Sequence, residues 1–364
     1  MTTDAVGGVW HYTLELCAGL GAHGVEVVLA SMGPRPSEAQ RAAARALGNV
    51  TLVESDFRLE WMPAPWDDVQ RAGEWLLQLE SDYAPDLVHL NGYVHAALPW
   101  RVPVLVVGHS CVFSWWEATH GTAPPTEWSE YRARVQAGLQ AADRVVAPSH
   151  AMLAALERHY GALRRAEVIA NGRNPAQFSR GLKKPSVLCV GRLWDEAKNA
   201  RVLAEIAPRL HWPVELAGDT TAPHGITDRP DFPNVALLGP CSPARVRALL
   251  AQASIYALPA RYEPFGLSVL EAALSGCALV LGDLPSLREN WDGAAVFVAP
   301  DDADGLVREL AWLIGRPEAA NLWAQRARER AAEFSAVRMV TNYLAAYADC
   351  LTPRAAAQVE SIPA

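Results

Sequence analysis

Short β-branched runs alternate with amphipathic helical stretches over most of this chain, and the alternation limits its fold more than any other feature. Strands and helices in turn predict parallel sheets with right-handed crossovers. In the first half, the predicted strands are 26–30, 50–54, 87–90, 102–107, 144–147 and 167–170, and the predicted helices are 7–23, 37–47, 67–83, 127–142 and 150–160. In the second half, the predicted strands are 186–190, 213–217, 234–238, 255–259, 278–282 and 295–298, and the predicted helices are 198–209, 242–253, 266–275 and 303–314.

The alternation pauses at 171–185, where Asn, Gly, Pro and charged residues cluster without an apolar period. We therefore place a linker there, between two α/β domains that we expect at 1–175 and 185–335. The chain has 364 residues, which is long enough for both domains. Only Met1–Thr3 precede the first turn, so we expect either a very short first strand or a chain that starts late.

Composition excludes several classes of protein. The formal charge is −8 and there is no basic stripe, which argues against binding to nucleic acid. No apolar run reaches the ~18–20 residues that cross a bilayer, and the chain does not begin like a secretory signal. The six cysteines are scattered without a CxxC pair, as in reduced proteins. We therefore expect a cytoplasmic protein with no nucleic-acid partner and no membrane association.

Two glycines, Gly7 and Gly8, open the first long helix. Glycines at a helix N-terminus let backbone amides approach an anion, and the helix dipole favours an anion there. The turn matches neither a dinucleotide-binding GxGxxG motif nor a P-loop. A tight turn that needs positive φ would explain the same two glycines without a ligand.

Two cations follow the first strand of the second half, Arg192 and, six residues later, Lys198. Arg can grip two oxygens of a diphosphate, and Lys supplies a point charge. Solvated surface cations would give the same pattern.

The third motif is A-R-Y-E-P-F-G-L-S-V-L-E, in which Glu263 precedes a predicted helix and Glu271 lies within it. Free amides at 265–267 would point at an anion, and the two carboxylates could accept hydrogen bonds from sugar hydroxyls. The alternative is a helix-start acid and a surface acid. Glu271, however, lies among Val269, Leu270 and Ala272, which is a poor place for an unpaired charge.

In this order, the three motifs resemble those of the retaining family 4 glycosyltransferases, which have the GT-B fold. The resemblance covers nearly the whole chain, and its most specific part is the Glu, seven residues, Glu signature with P-F-G-L between the glutamates. It implies two Rossmann-like domains that face a central cleft, the first binding the acceptor and the second the nucleotide-sugar donor. It also implies that a helix at 336–352 crosses back and packs on the first domain.

The resemblance implies transfer of a sugar, with retention, from a UDP- or GDP-sugar to a hydroxyl of a carbohydrate or small glycoside. No metal and no cofactor are expected. In the family, the cation pair binds the diphosphate, the first glutamate holds the donor sugar and the second holds the ribose. The implied donor-binding residues are Gly7, Gly8, Arg192, Lys198, Glu263, Phe265, Gly266, Leu267 and Glu271.

Histidine 109 ends the predicted strand V-L-V-V-G-H, and the family often has a histidine there that faces the donor sugar. We therefore expect a catalytic role for His109 beside Glu263, Arg192 and Lys198, although a core or capping histidine remains an alternative. The pair His89 and His95 follows another strand. It has no nearby Cys and no evident third ligand, so we predict no metal site there.

Eight of the 13 tryptophans lie at or before residue 128. Aromatic faces stack on sugars, so we expect the acceptor site near Trp115 and Trp116, with Asp4. Core packing explains both tryptophans equally well.

Two other functions stay open. One is a different chemistry on the same fold, as in a phosphorylase or a sugar-nucleotide epimerase, and the other is non-catalytic binding of a sugar nucleotide. An NAD(P) oxidoreductase would need a GxGxxG turn, which neither half contains. The D-x-D pattern at Asp302–Asp304 is more simply explained as a helix cap.

Overall fold

The computed structural model describes residues 1–222 and 231–352, and it confirms the alternation of strands and helices. The strands are β1 (Thr2–Asp4), β2 (Val27–Met32), β3 (Val50–Glu54), β4 (Val88–Leu90), β5 (Val104–Val107), β6 (Arg144–Ala147), β7 (Ala166–Val168), β8 (Lys184–Val190), β9 (Val214–Ala217), β10 (Ala236–Gly239), β11 (Ala253–Leu258), β12 (Ala278–Gly282) and β13 (Val296–Val298). The helices are α1 (Gly8–Gly21), α2 (Glu38–Arg45), α3 (Trp66–Tyr83), α4 (Val112–His120), α5 (Ser129–Ala141), α6 (His150–Tyr160), α7 (Ala200–Ile206), α8 (Pro243–Gln252), α9 (Leu267–Leu274), α10 (Pro285–Trp291), α11 (Ala303–Ile314), α12 (Pro317–Ala331) and α13 (Ala336–Leu351).

The N-terminal domain contains β1 to β7, all paired in parallel. They form two ladders, β1-β2-β3 and β4-β5-β6-β7. Strands β1 and β4 lie side by side where the ladders meet, and Asn91 joins them. Its side-chain amide donates to Thr2 O at 2.7 Å, and its backbone N–H donates to Thr2 Oγ1 at 2.9 Å. The first strand is therefore very short, but it is held from both sides.

The C-terminal domain is built on one parallel sheet in the order β10-β9-β8-β11-β12-β13. The interior parts of its two central strands, 187–189 of β8 and 255–258 of β11, are made of apolar residues that are completely buried, such as Leu188 and Ile255. A continuous apolar run without polar alternation is typical of a parallel strand that is covered on both faces. The carboxyl end of β8 therefore projects Arg192 from a rigid base.

Helices α4 and α10 were not predicted. Helix α4 has only nine residues with aromatic, polar and apolar side chains mixed, so it lacks an apolar period. Its ends are set by Cys111, whose Sγ accepts from the N–H of Ser114, and by Gly121 in the left-handed conformation. Helix α10 is shorter still and begins at Pro285, which has no N–H to lose at a first helical position.

The chain crosses between the domains twice, and the two crossings pair with each other. The N–H of Arg173 donates to Phe334 O, and the N–H of Ala336 donates to Arg173 O, both at 3.0 Å. A Cβ on Gly172 would collide with the backbone of Ser335, so this close approach requires glycine.

Helix α13 packs on α1 in the N-terminal domain. Its buried side chains include Met339 and Tyr343, and a Cβ on Gly19 of α1 would collide with Val340. Within residues 1–222 and 231–352, no helix is both long enough and apolar enough to pass through a bilayer.

Candidate functional site

A cleft of about 900 Å³ lies between the domains. The carboxyl ends of strands from both domains open into it, as expected for ligand sites of open parallel sheets. The predicted site residues that line it are Gly7, Gly8, His109, Trp115, Arg192, Lys198, Glu263, Phe265, Gly266, Leu267 and Glu271. Three motifs that are far apart in the chain therefore meet in one cavity.

The glycine turn touches the opposite domain. Gly7 has φ 87°, a conformation that L side chains rarely adopt. A Cβ there would lie 3.5 Å from Arg192 Cδ, and a Cβ on Gly8 would lie 3.5 Å from Leu267 Cδ1. The turn thus lies directly against the predicted diphosphate site.

Asp4 lies behind this turn and does not line the cleft. Its Oδ1 accepts a hydrogen bond from the N–H of Val6 at 2.7 Å. Burial raises the pKa of the Asp4 carboxyl to about 6, against the opposing effects of that hydrogen bond and of Arg192. The described position supports the turn and offers no contact to a ligand in the cleft.

Arg192 has a partner that the sequence did not indicate. Its Nη2 donates to Asp195 Oδ2 at 2.8 Å, and the Asp195 Oδ1 accepts from the indole Nε1–H of Trp115 at 3.0 Å. Burial opposes ionisation of Asp195, but Arg192 and Lys198 outweigh it and hold the pKa of this carboxyl below its usual value. A charged network thus connects the two walls of the cleft.

The second predicted cation, Lys198, is paired with the first signature glutamate. Lys198 Nζ donates to Glu263 Oε2 at 2.6 Å, and the Glu263 Oε1 accepts from the N–H of Gly266 at 3.0 Å. The expectation of free amides at 265–267 therefore needs correction at Gly266, whose N–H is occupied. Phe265 is buried and packs against Phe334 with 5.6 Å between ring centroids.

The second signature glutamate lies beside a buried arginine. Arg173 Nε is 3.0 Å from Glu271 Oε1, and Arg173 Nη1 donates to Glu15 Oε2 at 2.8 Å. Burial raises the pKa of Glu271, and the charge of Arg173 opposes the rise. Arg173 thus bridges an acid of α1 and an acid of α9 at the point where the chain crosses between the domains.

His109 has a fixed tautomer. The Asn91 side-chain NH₂ donates to Thr2 O, so its Oδ1 is the atom that faces His109 Nε2 at 2.9 Å. The Nε2 must therefore carry the proton, which leaves Nδ1 as an acceptor. Burial lowers the pKa of His109 to about 3, so the ring is neutral at physiological pH. Such a ring can accept a hydrogen bond from a sugar hydroxyl but does not act as a titrating acid.

The predicted pair His89 and His95 do not share a partner with each other. His89 lies 3.2 Å from Asn91 Oδ1 and 2.7 Å from Tyr347 OH, which connects α13 to the His109 network. His95 bonds to Val69 O at 3.0 Å. Within residues 1–222 and 231–352, no three metal-ligating side chains cluster.

Of the two neighbouring tryptophans of α4, only one lies at the cleft. Trp115 lines the cleft, whereas Trp116 packs on His120 with 4.4 Å between ring centroids and does not line it. The structure therefore brings one of the two predicted acceptor tryptophans to the site.

Sequence reasoning missed Asp195, Arg173, Asn91 and Tyr262. Tyr262 OH bonds to Ser114 Oγ at 2.8 Å and so docks α4 onto the loop of Glu263. Asp195 lies between the two predicted cations, and this position was the one available signal. Nothing in the linker sequence distinguishes Arg173 from a solvated arginine, because its partners come from distant segments.

Two family models match the chain. The model described as Glycosyltransferase Family 4 matches residues 6–177, and the model described as Glycosyl transferases group 1 matches residues 184–316. The chain is also similar to a glycogen synthase of Mycobacterium tuberculosis. That match is 27% identical over 363 residues and covers 89% of this chain and 86% of the relative.

Solved structures share the fold. A sucrose-phosphate synthase from Thermosynechococcus elongatus matches with a TM-score of 0.78 and 19% identity, covering 96% of this chain and 99% of the other. The protein Alr3699/HepE of Anabaena, solved in complex with UDP-glucose, matches with a TM-score of 0.74, 16% identity and the same coverage. At these identities the likeness concerns the two-domain architecture alone.

Proposed function

The chain belongs to glycosyltransferase family 4, and from this membership we propose that it moves a hexose, with retention, from a UDP- or GDP-sugar to a hydroxyl of a carbohydrate or small glycoside. The observation that carries the proposal is the convergence of Arg192, Lys198, Glu263 and Glu271 in one cleft opposite the glycine turn. The N-terminal domain would then bind the acceptor, and the C-terminal domain the donor. The matched glycosyltransferases have the same GT-B arrangement.

The diphosphate would lie at Arg192, Lys198 and the first turn of α9. Negative charge builds up on the leaving diphosphate as the glycosidic bond breaks, so fixed cations stabilise the transition state more than the ground state. The two cations supply this charge from the protein. We therefore propose that turnover continues in the presence of EDTA.

The distribution of acids argues against a covalent enzyme intermediate. Among the described residues, the Asp and Glu side chains that line the cleft are Asp195, Asp219, Glu263 and Glu271, and all belong to the C-terminal domain. A double displacement needs carboxylates on opposite faces of the sugar. In a same-face substitution, an oxygen of the leaving phosphate takes the proton of the acceptor hydroxyl instead.

The sugar itself would be held between the domains. Glu263 would meet the hexose from the C-terminal side, and His109 Nδ1 would accept a hydrogen bond from a sugar hydroxyl on the N-terminal side. The indole face of Trp115 offers a stacking surface to an acceptor sugar. Closure around both substrates would exclude water and limit hydrolysis of the donor.

A thermal-shift screen with UDP-, GDP- and ADP-sugars tests the donor. A donor at 100 times its dissociation constant stabilises a protein by about 2.7 kcal/mol, which is easily measured. Products formed with candidate acceptors, or with inorganic phosphate instead, then separate transfer from phosphorolysis. An inverted product in the NMR spectrum, or loss of activity in EDTA with rescue by Mg²⁺, would contradict the proposal.

A further inference from the structure

The carboxylate of Asp195 connects the two walls of the cleft through three hydrogen bonds. Its Oδ1 accepts from Trp115 Nε1 at 3.0 Å and from the N–H of Ala197 at 3.1 Å, and its Oδ2 accepts from Arg192 Nη2 at 2.8 Å. The side chain of Asp195 is 4% exposed, whereas that of Arg192 is 37% exposed. The carboxylate is therefore the buried member of the pair, and the guanidinium is the more exposed one.

The charge of Asp195 is opposite to what affinity for a diphosphate requires. Arg192 and Lys198 face the proposed diphosphate, and an anion beside them weakens the attraction of the site for a second anion. Asp195 is nevertheless buried and ionised there, because those same cations keep its pKa low. Its contribution must lie in geometry, since it does not lie in affinity.

We propose that Asp195 is a positioning residue that orients Arg192 on the leaving diphosphate, and that Trp115 holds Asp195 in place from the opposite domain. The inference rests on the proposed function of the cleft. Trp115 belongs to α4 in the N-terminal domain, whereas Asp195 follows β8 in the C-terminal domain. Their bond exists only while the two domains face each other as described, so Trp115 supports Asp195, and through it Arg192, only in this arrangement of the domains.

Asp195→Asn is the central test. The Asn side-chain oxygen can still accept hydrogen bonds from Trp115 and Ala197, but the charge that holds Arg192 is gone. In titration calorimetry we expect UDP to bind about fivefold more tightly, because a repelling charge has been removed. Without acceptor, water takes the glucosyl group, and this hydrolysis of UDP-glucose to glucose and UDP should slow about tenfold, because Arg192 is no longer oriented.

Tighter UDP binding together with slower cleavage indicates a positioning role. A purely structural role would weaken UDP binding and slow cleavage together. Weaker UDP binding, or unchanged cleavage, overturns the inference. If a GDP- or ADP-sugar gives the larger thermal shift with the natural protein, that nucleotide and its sugar serve as the probes.

Trp115→Phe tests the other half of the contact, because it keeps an aromatic ring and removes the indole N–H. Cleavage without acceptor should slow about fivefold, and UDP affinity should stay within about twofold. The double variant with Asp195→Asn should be no slower than Asp195→Asn alone. If Trp115→Phe impairs transfer but leaves acceptor-free cleavage intact, Trp115 serves the acceptor alone and the inference is wrong.

Glu289→Gln is the matched control. Glu289 makes another contact between the domains, accepting from the N–H groups of His150 and Ala151 at 2.8 and 3.0 Å, and it does not line the cleft. This variant should keep cleavage and UDP binding, and an equal loss of cleavage would overturn a specific role for Asp195. Failure of the natural protein to bind any sugar nucleotide, or to transfer its sugar to any candidate acceptor, would contradict the proposed function instead.

Discussion

The two walls of the cleft differ in how they carry charge. Among the described residues, the C-terminal side holds ion pairs that face the cavity: Arg192–Asp195 at 2.8 Å and Lys198–Glu263 at 2.6 Å. Its Glu271 pairs at 3.0 Å with Arg173, which lies where the chain crosses between the domains. The N-terminal side presents the glycine turn, the neutral ring of His109 and the indole of Trp115. One wall is therefore electrostatic, and the other is neutral and shaped by its backbone.

This difference indicates how each wall responds to substitution. On the C-terminal side, an arriving diphosphate competes with carboxylates for cations that already have partners, so removing an acid can tighten binding while it slows chemistry. On the N-terminal side, the groups are held by buried hydrogen bonds, so a substitution changes geometry with little change in anion affinity.

Glu263→Gln should give the largest effect on activity. The variant frees Lys198 and removes the charge that a developing oxocarbenium ion would feel, so kcat should fall by about 10²–10³-fold. Binding of the nucleoside diphosphate should persist or tighten. Steady-state kinetics beside titration calorimetry measure both, with Glu196→Gln, an exposed acid near Lys198, as the control. Lost nucleotide affinity in Glu263→Gln would reverse the roles of the two signature glutamates.

Arg192→Ala and Lys198→Ala should each lower kcat/KM by about 2–3 kcal/mol, the size of a lost charge-assisted contact in a dry site. Lys184→Ala provides the comparison, because Lys184 is an exposed cation at the opposite end of β8. If both cleft variants keep normal turnover while binding donor normally, the diphosphate lies elsewhere and the electrostatic wall has another purpose.

Asp4→Asn tests the neutral wall through stability. The pKa of Asp4 is raised to about 6 by burial, so its contribution to stability is fully present below its ordinary pKa and is lost as pH rises through 6. Relative to the natural protein, the variant should therefore gain about 2 kcal/mol of unfolding free energy between pH 4 and pH 8. Urea unfolding at both values measures the gain, and the exposed Asp86→Asn should show none. If the difference in unfolding free energy between the variant and the natural protein does not depend on pH, burial does not shift the pKa of Asp4.

Glu271→Gln should weaken binding of the free nucleoside diphosphate about tenfold and raise KM more than it lowers kcat. The reason is that a ribose contact acts equally in the ground and transition states. Arg173 keeps Glu15 as a partner, so folding should change little. An unchanged affinity in calorimetry would remove Glu271 from the nucleotide site.

Asn91→Ala should give the smallest change, lowering kcat about fivefold with unchanged nucleotide affinity, because only the orientation and tautomer of His109 are released. Nitrogen chemical shifts of His109 measure the tautomer directly. If the His109 ring stays protonated at Nε2 alone in the variant, Asn91 does not determine the tautomer.

The sequence predicted the fold, and it singled out residues that the structure brings to one cleft, for a clear reason. Strand and helix periods are local, and Glu263 and Glu271 lie within one segment whose spacing is itself informative. Gly7 was similarly visible, because a positive φ at a helix start limits the residue type. Helix α4 was not predicted, since its nine mixed residues rely on capping and on packing against the C-terminal domain.

By itself, the sequence determined the two parallel-sheet domains and the motifs at the ends of their strands. Only the tertiary structure decided which polar groups pair: Asp195 with the charge of Arg192 and the indole N–H of Trp115, and Arg173 with two acids of different helices. Periodicity depends on neighbours along the chain, whereas the strength of a charge pair depends on distance and burial in space. Residues 80 positions apart, such as Trp115 and Asp195, acquire a common function only when two domains close on one cavity.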